Sequence, residues 1–151
     1  MKVVIAGAGI GGLCAAIALT KVGFEVEVIE RAPALTEVGA GIQLSPNAVK
    51  GLAGLGVAEA VLAMASQPQT LEMRIGKTGE KVFSIPIAKD ARKRYGAPYI
   101  HIHRADLIEI LARAAAFAGV TVKLNARGAP YGRDEDGLRL VGQAGDADEA
   151  I

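Results

Sequence analysis

The chain has 151 residues with 17 basic and 16 acidic side chains, so its net charge of +1 gives no electrostatic reason to expect a nucleic acid or an anionic membrane as partner. That length supports about one domain, able to bury roughly two thirds of the surface its unfolded chain exposes. Although 51% of the residues are hydrophobic, glycine or charge interrupts each apolar stretch before the 18 or so residues of a membrane span; the single cysteine, Cys14, excludes an internal disulfide and, with no signal-peptide pattern at the start, fits a reducing cytoplasm.

In chain order, residues 2–6 form a β-branched run that predicts a strand. From Ile10 the apolar positions Ile10, Leu13, Cys14, Ile17 and Val22 follow helical spacing, and Gly23 is placed to end that helix. Residues 24–29 alternate around Val26 and Val28 and predict a second strand. The result is a β-α-β crossover, hence parallel strands joined with right-handed sense. Residues 31–44 carry no periodic pattern and read as a long ordered loop. Ser45 and Pro46 then offer an N-cap and a first helical position for a helix to about Leu55, and Gly56 separates it from a short helix over 57–65. Residues 70–75 and 81–85 predict a hairpin around Thr78 and Gly79. The basic segment 87–98, "IAKDARKRYGAP", reads as a solvated connection. A short extended piece at 99–103 leads to a helix marked by Leu107, Ile108, Leu111, Ala114, Ala115 and Ala118 and closed by Gly119, then a strand at 120–124. Weaker strand signals lie at 129–131 and 138–141, with Asp136 and Gly137 as a turn between them.

The chemistry concentrates in Gly7-x-Gly9-x-x-Gly12, which follows a strand and opens a helix. In that context Gly7 permits the tight turn, Gly9 lets a pyrophosphate approach the main chain, and Gly12 lets helix and strand pack closely. The helix start supplies unpaired N–H groups and a positive dipole end. Glu30 stands 18 residues after Gly12 at the end of the second strand, where a carboxylate can accept hydrogen bonds from ribose hydroxyls. Its charge disfavours a 2′-phosphate, and so NADP, at this site. The spacing leaves open which other dinucleotide binds.

Four segments, "VVIAGAGIGGLCAAIAL", "VEVIERAP", "EVGAGIQLSPNAVKGLAGLGV" and "IHIHRADLIEIL", occur in this order over about the first 125 positions. With them the chain resembles the FAD-dependent aromatic-ring monooxygenases of the salicylate hydroxylase-like flavoprotein family. The fold so implied is α/β, a Rossmann-like FAD-binding domain with a parallel sheet and a β-hairpin, 70–98, belonging to the substrate region. Carried onto this sequence, the resemblance implies that Gly7, Gly9, Gly11 and Gly12 cradle the FAD pyrophosphate, that Glu30 holds the adenosine ribose and that Arg31 lies beside the adenosine half. Gly41, Ile42 and Gln43 would pass near the isoalloxazine ring, Arg104 would reach toward the cofactor, and the main chain from Leu124 to Ala126 would flank the adenine. NAD(P)H would serve as electron donor and a small aromatic, salicylate- or hydroxybenzoate-like, as substrate. Some relatives carry a histidine base near the position of Gln43; an amide stands here, so no catalytic base is assigned.

Other candidates have simpler readings. His101 and His103 could share a face of an extended segment, but a metal needs a third ligand and the chain has no other histidine, so no metal is expected. Cys14 fits the apolar side of the first helix, and Ser45 fits a helix cap. Gly145, Asp146 and Ala147 echo a later family motif but lack its apolar strand. The family's later Asp-Gly and Gly-Asp motifs do not occur before Ile151, so the resemblance implies a truncated domain without turnover of its own. A stand-alone nucleotide-binding module and an NAD-dependent dehydrogenase are the alternatives, and oligomeric state is not legible.

Overall fold

The computed structural model describes residues 1–35, 40–128, 132–134, 137–139 and 142–143. The chain divides into two compact units, one of residues 1–37 with 108–151 and one of residues 38–107.

The first unit opens with β1 (Lys2–Ala6), α1 (Ile10–Lys21) and β2 (Glu25–Ile29), the β-α-β crossover that the hydrophobic pattern predicts. α1 buries Leu13, Ala16 and Ile17, a face in contact with β1 and β2. Each fully buried aliphatic side chain of this kind contributes about 1.5–3 kcal/mol. Helix α1 ends through Gly23, which adopts φ +91° and donates its N–H to the Thr20 carbonyl. β1 pairs with β2 in parallel from Lys2 opposite Glu25 to Ala6 opposite Ile29, and β2 pairs in parallel with β7 (Thr121–Lys123).

The strand order β1-β2-β7 makes β2 central, and both of its faces are buried from Val26 to Ile29. The alternation around Val26 and Val28 therefore does not put Glu27 in water. Its carboxylate is 5% exposed and lies 2.9 Å from both Lys2 Nζ and Lys123 Nζ on the two neighbouring strands. Burial pushes the Glu27 carboxyl up, but the hydrogen bonds and charges of Lys2 and Lys123 outweigh it and hold the group below its ordinary value.

The second unit holds β3 (Gly41–Leu44), α2 (Pro46–Leu55), α3 (Ala58–Met64), β4 (Leu71–Arg74), β5 (Lys81–Ile85), α4 (Ile87–Tyr95) and β6 (Ile100–His103). Here the sequence reading needs two corrections. The unpatterned loop contains β3, which pairs antiparallel with β6 from Gly41 opposite His103 to Leu44 opposite Ile100. The basic connection is the helix α4, with only Ala91 buried. Asp90 lies in its first turn and Arg92, Lys93 and Arg94 in its last, as the helix dipole favours, and Gly96 closes it at φ +70°. Val49 and Leu52 of α2, Val61 of α3, Ala91, Ile100 and Ile102 are among the buried residues of this unit. β4 and β5 pair as the expected hairpin, with Gly79 at φ +72°.

Helix α5 (Arg104–Phe117) begins three residues before the apolar period becomes visible, and the division between the units falls within it. Beyond β7, the pieces β8 (Arg127–Gly128), β9 (Gly132–Asp134), β10 (Gly137–Arg139) and β11 (Gly142–Gln143) pair antiparallel, β8 with β11 and β9 with β10. Gly137 opens β10 opposite Asp134, so β9 and β10 form a hairpin at the place the turn signal predicts, with Gly137 as the residue that closes it. Residues 129–131, Asp136, 140–141 and the Gly145 to Ala147 segment lie outside the described residues. Among the described residues no helix is long and apolar enough to cross a membrane.

Candidate dinucleotide site

A cavity of about 460 Å³ lies in the first unit, within the usual range of small-molecule sites. It is lined by Ala6 to Gly9 at and beyond the end of β1, by Ile29 to Ala32, Ala34 and Leu35 at and beyond the end of β2, and by Ile108 and Ala126. Main-chain hydrogen bonds hold these walls together. Gly7 N–H donates to the Ile29 carbonyl at 2.7 Å, Glu30 N–H to Lys123 at 2.8 Å, and Ala126 N–H back to the Glu30 carbonyl at 3.0 Å. Asn125, the one non-glycine residue with positive φ among the described residues, turns the chain after β7 at φ +56°, and its N–H reaches the Ala32 carbonyl.

The three motif glycines have three different physical reasons. Gly7 sits at φ +96°, where an L side chain is strained. Gly12 has no room: a Cβ built there falls 1.9 Å from the Gly7 carbonyl oxygen. Gly9 has ordinary extended backbone, φ −72° and ψ −179°, and a Cβ on it would meet no protein atom within 4 Å. Nothing in the protein requires glycine at Gly9, but the cavity it lines would lose space to a side chain. That is the cradle a closely approaching diphosphate needs. Helix α1 adds to it, since neither a side-chain cap nor an acidic residue in its first turn neutralises its positive end.

Glu30 lines the same cavity. Its Oε2 accepts the Ala8 N–H at 2.7 Å and its Oε1 the Ala32 N–H at 2.9 Å. These two hydrogen bonds, Ala32 before Ala8, outweigh burial and with Arg31 hold the carboxyl below its ordinary value. A carboxylate has about four acceptor positions, so lone pairs remain for ligand hydroxyls.

Of the residues singled out in the sequence, Gly7, Gly9, Glu30, Arg31 and Ala126 line the cavity. Gly12 packs against the lining residue Gly7 without lining the cavity itself, Gly11 is exposed at the helix start, and Leu124 is not among the lining residues. Gly41, Ile42, Gln43 and Arg104 belong to the other unit. There Gln43 lies opposite His101, and its Oε1 accepts the Tyr99 hydroxyl at 2.7 Å, while Tyr99 meets His101 edge-on. Arg104 opens α5 with its N–H toward the Ala40 carbonyl. Sequence reasoning missed Ala6, Ala8, Ile29, Ala32, Ala34, Leu35 and Ile108 as lining residues. The small residues of "RAPAL" were a usable signal for a close ligand, whereas Ile108 is indistinguishable from any apolar position of its helix.

Among the described residues no cluster of His, Cys, Asp and Glu could hold a metal ion, His101 and His103 included. Burial pushes the Cys14 thiol up, against a reactive thiolate.

A β-α-β crossover with this glycine loop and an acid at the end of its second strand defines a Rossmann-type dinucleotide-binding protein. The family model described as "FAD binding domain" matches residues 1–150, and the chain belongs to that family, whose cofactor is FAD. It is 38% identical over 152 residues to 3-hydroxybenzoate 6-hydroxylase of Polaromonas naphthalenivorans, covering all of this chain and 38% of that protein. A variant of 2-methyl-3-hydroxypyridine-5-carboxylic acid oxygenase superposes with a TM-score of 0.82 at 30% identity, covering 99% of this chain and 36% of the other. A variant of Klebsiella pneumoniae HpxO in complex with FAD gives 0.83 at 28%, covering 99% and 37%. The chain thus spans about 38% of the length of this curated relative, and the family is one of oxidoreductases.

Proposed function

We propose that these residues do the FAD-holding work of an NAD(P)H-dependent flavoprotein monooxygenase that hydroxylates a small aromatic of the hydroxybenzoate or salicylate class. The observation that carries this reading is Gly9, a glycine with no conformational or packing reason, facing a cavity that Glu30 also lines. Gly9, Gly11 and the start of α1 would hold the pyrophosphate, with Gly7 and Gly12 fixing the loop; Glu30 would accept the ribose hydroxyls, and Arg31, Leu124 and Ala126 would flank the adenosine half. Gly41, Ile42, Gln43 and Arg104 would serve the flavin end, and the hairpin with the connection over 70–98 the substrate region. Bound FAD would supply the redox chemistry with reduced nicotinamide and O₂. The protein's share is to bind and orient the cofactor.

The 151 residues alone are expected to bind FAD without hydroxylating, and the lone cysteine supports a cytoplasmic setting. Gel filtration of the purified chain with FAD tests the first half: a flavin absorbance that co-elutes supports it, and FAD that elutes free overturns it. NADH with salicylate-like phenols tests the second half, where flavin-dependent product formation would refute the absence of turnover. Thermal protection by NADH but not by FAD would point to a dehydrogenase instead.

A further inference from the structure

Glu30 does more in this structure than stand at a cavity wall. Its Oε2 takes the N–H of Ala8, a residue 22 positions earlier, 3% exposed and in the middle of the glycine loop. Gly7 N–H is already committed to Ile29, and Leu13 N–H returns to the Gly9 carbonyl at 3.0 Å. The N–H groups left at the loop and helix start are those of Gly9, Ile10, Gly11 and Gly12, the ones an α-helix cannot satisfy internally.

We propose that Glu30 is a positioning residue of the phosphate loop: its carboxylate holds the Ala8 N–H, fixes the turn between β1 and α1 before any cofactor arrives, and leaves the pyrophosphate to the N–H groups from Gly9 to Gly12. The proposal deepens the FAD reading of this cavity and rests on it for its ligand. A loop with glycines at 7, 9, 11 and 12 loses more conformational freedom on ordering than one with other residues at those positions. If the diphosphate alone ordered it, that cost would fall on binding, whereas a loop held beforehand presents its N–H groups ready. A carboxylate suits the task because it accepts at both oxygens. Glutamine would turn an NH₂ toward one of the two N–H donors and lose that bond. The carboxylate would also stand near a bound diphosphate, where its charge is unfavourable; because the same side chain holds Ala8 and lines the cavity, ribose recognition is coupled to loop shape. Arg31 is the charged neighbour that offsets part of that repulsion, and the depressed carboxyl keeps the acceptor ionised at neutral pH.

The test uses the ¹⁵N-labelled chain without FAD. The Ala8 amide proton is expected to exchange slowly and to shift as Glu30 is protonated on acidification. In Glu30→Gln the pH response disappears, and in Glu30→Ala, which removes both acceptor oxygens, exchange accelerates by about tenfold or more, while the Ala126 amide, which donates to the main-chain oxygen of residue 30, stays protected and reports an intact fold. An Ala8 signal with the same pH response in wild type and Glu30→Gln, or one that exchanges freely in wild type, overturns the proposal. FAD is then compared with the dinucleotide lacking the 2′- and 3′-hydroxyls of its adenosine ribose. A loop-positioning Glu30 predicts that Glu30→Gln weakens both by about fivefold or more; weakening of FAD alone shows a ribose contact only and refutes it. If wild type binds neither, the FAD reading fails while the Ala8 signature still decides the role of Glu30.

Discussion

Replacing Gly12 and Gly9 by alanine separates a packing glycine from a ligand glycine in one motif. A Cβ at Gly12 would stand 1.9 Å from the Gly7 carbonyl oxygen and 3.1 Å from its carbon, both main-chain atoms, with Ile5 Cγ2 at 3.5 Å. Strand and helix must separate locally by about 1 Å or more to relieve it, which belongs to the upper end of the roughly 1–3 kcal/mol that overpacking costs. Rotation cannot relieve it, because Gly7 N–H is tied to Ile29, Ala8 N–H to Glu30 and Leu13 N–H to Gly9. Alanine returns up to about 1 kcal/mol in helix propensity. Gly12→Ala is therefore expected to lose about 2 kcal/mol, lowering Tm by roughly 4–8 °C for a chain of this size. Gly9→Ala meets no protein atom within 4 Å and has an ordinary φ, so it costs less than about 1 kcal/mol as a poorer N-cap. Its methyl group intrudes where the diphosphate is expected, so FAD affinity falls while the melt barely moves. Thermal melts and FAD titrations of the three proteins check this. A Gly12→Ala protein as stable as wild type, or a Gly9→Ala protein less stable than Gly12→Ala, would refute the reasoning.

FAD at about a hundred times its Kd should stabilise the chain by about 2.7 kcal/mol and raise Tm by roughly 5–10 °C, with no rise for NADH in the same melt. The depressed Glu27 carboxyl contributes stability that is fully present above the ordinary carboxyl value of 4.5 and is lost as pH falls through its lowered folded value. Glu27→Gln should accordingly cost about 1–3 kcal/mol in urea unfolding at pH 7, with a smaller gap to wild type at pH 3; a gap that does not narrow on acidification contradicts the ion pairing. Leu13→Ala removes a side chain with no exposed surface from the α1 face and should cost about 2–5 kcal/mol, read as a lower urea midpoint with unchanged slope.

What the sequence disclosed and what it hid follow from the range of the interactions. The β-α-β unit is written locally: β-branched residues at 2–6, an apolar stripe on α1, and glycines whose conformational and packing reasons are met within a dozen residues. β3 is different, because "GIQL" becomes a strand only by pairing with residues about sixty positions later in β6. In α4 the period from Ile87 to Ala91 to Tyr95 exists, but one buried alanine among basic side chains is too faint to separate from a solvated charge run. The cavity-lining Ala126 is implied only by the family resemblance; the turn at Asn125, which brings the Ala126 N–H to the Glu30 carbonyl, carries no periodic signal in the sequence.

The two acids of β2 and its end show why residue type alone does not identify a ligand group. Glu27 lies on the central strand of a parallel sheet buried on both faces, where a carboxylate is tolerated only with cations beside it, and Lys2 and Lys123 reach it from either side. A counter-charge beside each oxygen holds the ionised group between three strands, and its burial in the sheet keeps it out of a ligand's reach. Glu30, three residues on, has left the strand and is held by two main-chain N–H groups. Those bonds orient its oxygens and favour ionisation without neutralising the charge or filling its lone pairs. Of two similar carboxylates, each with one donor beside each oxygen, the one that lines a cavity can accept a hydrogen bond from a ligand hydroxyl, and the one enclosed in the sheet is beyond a ligand's reach.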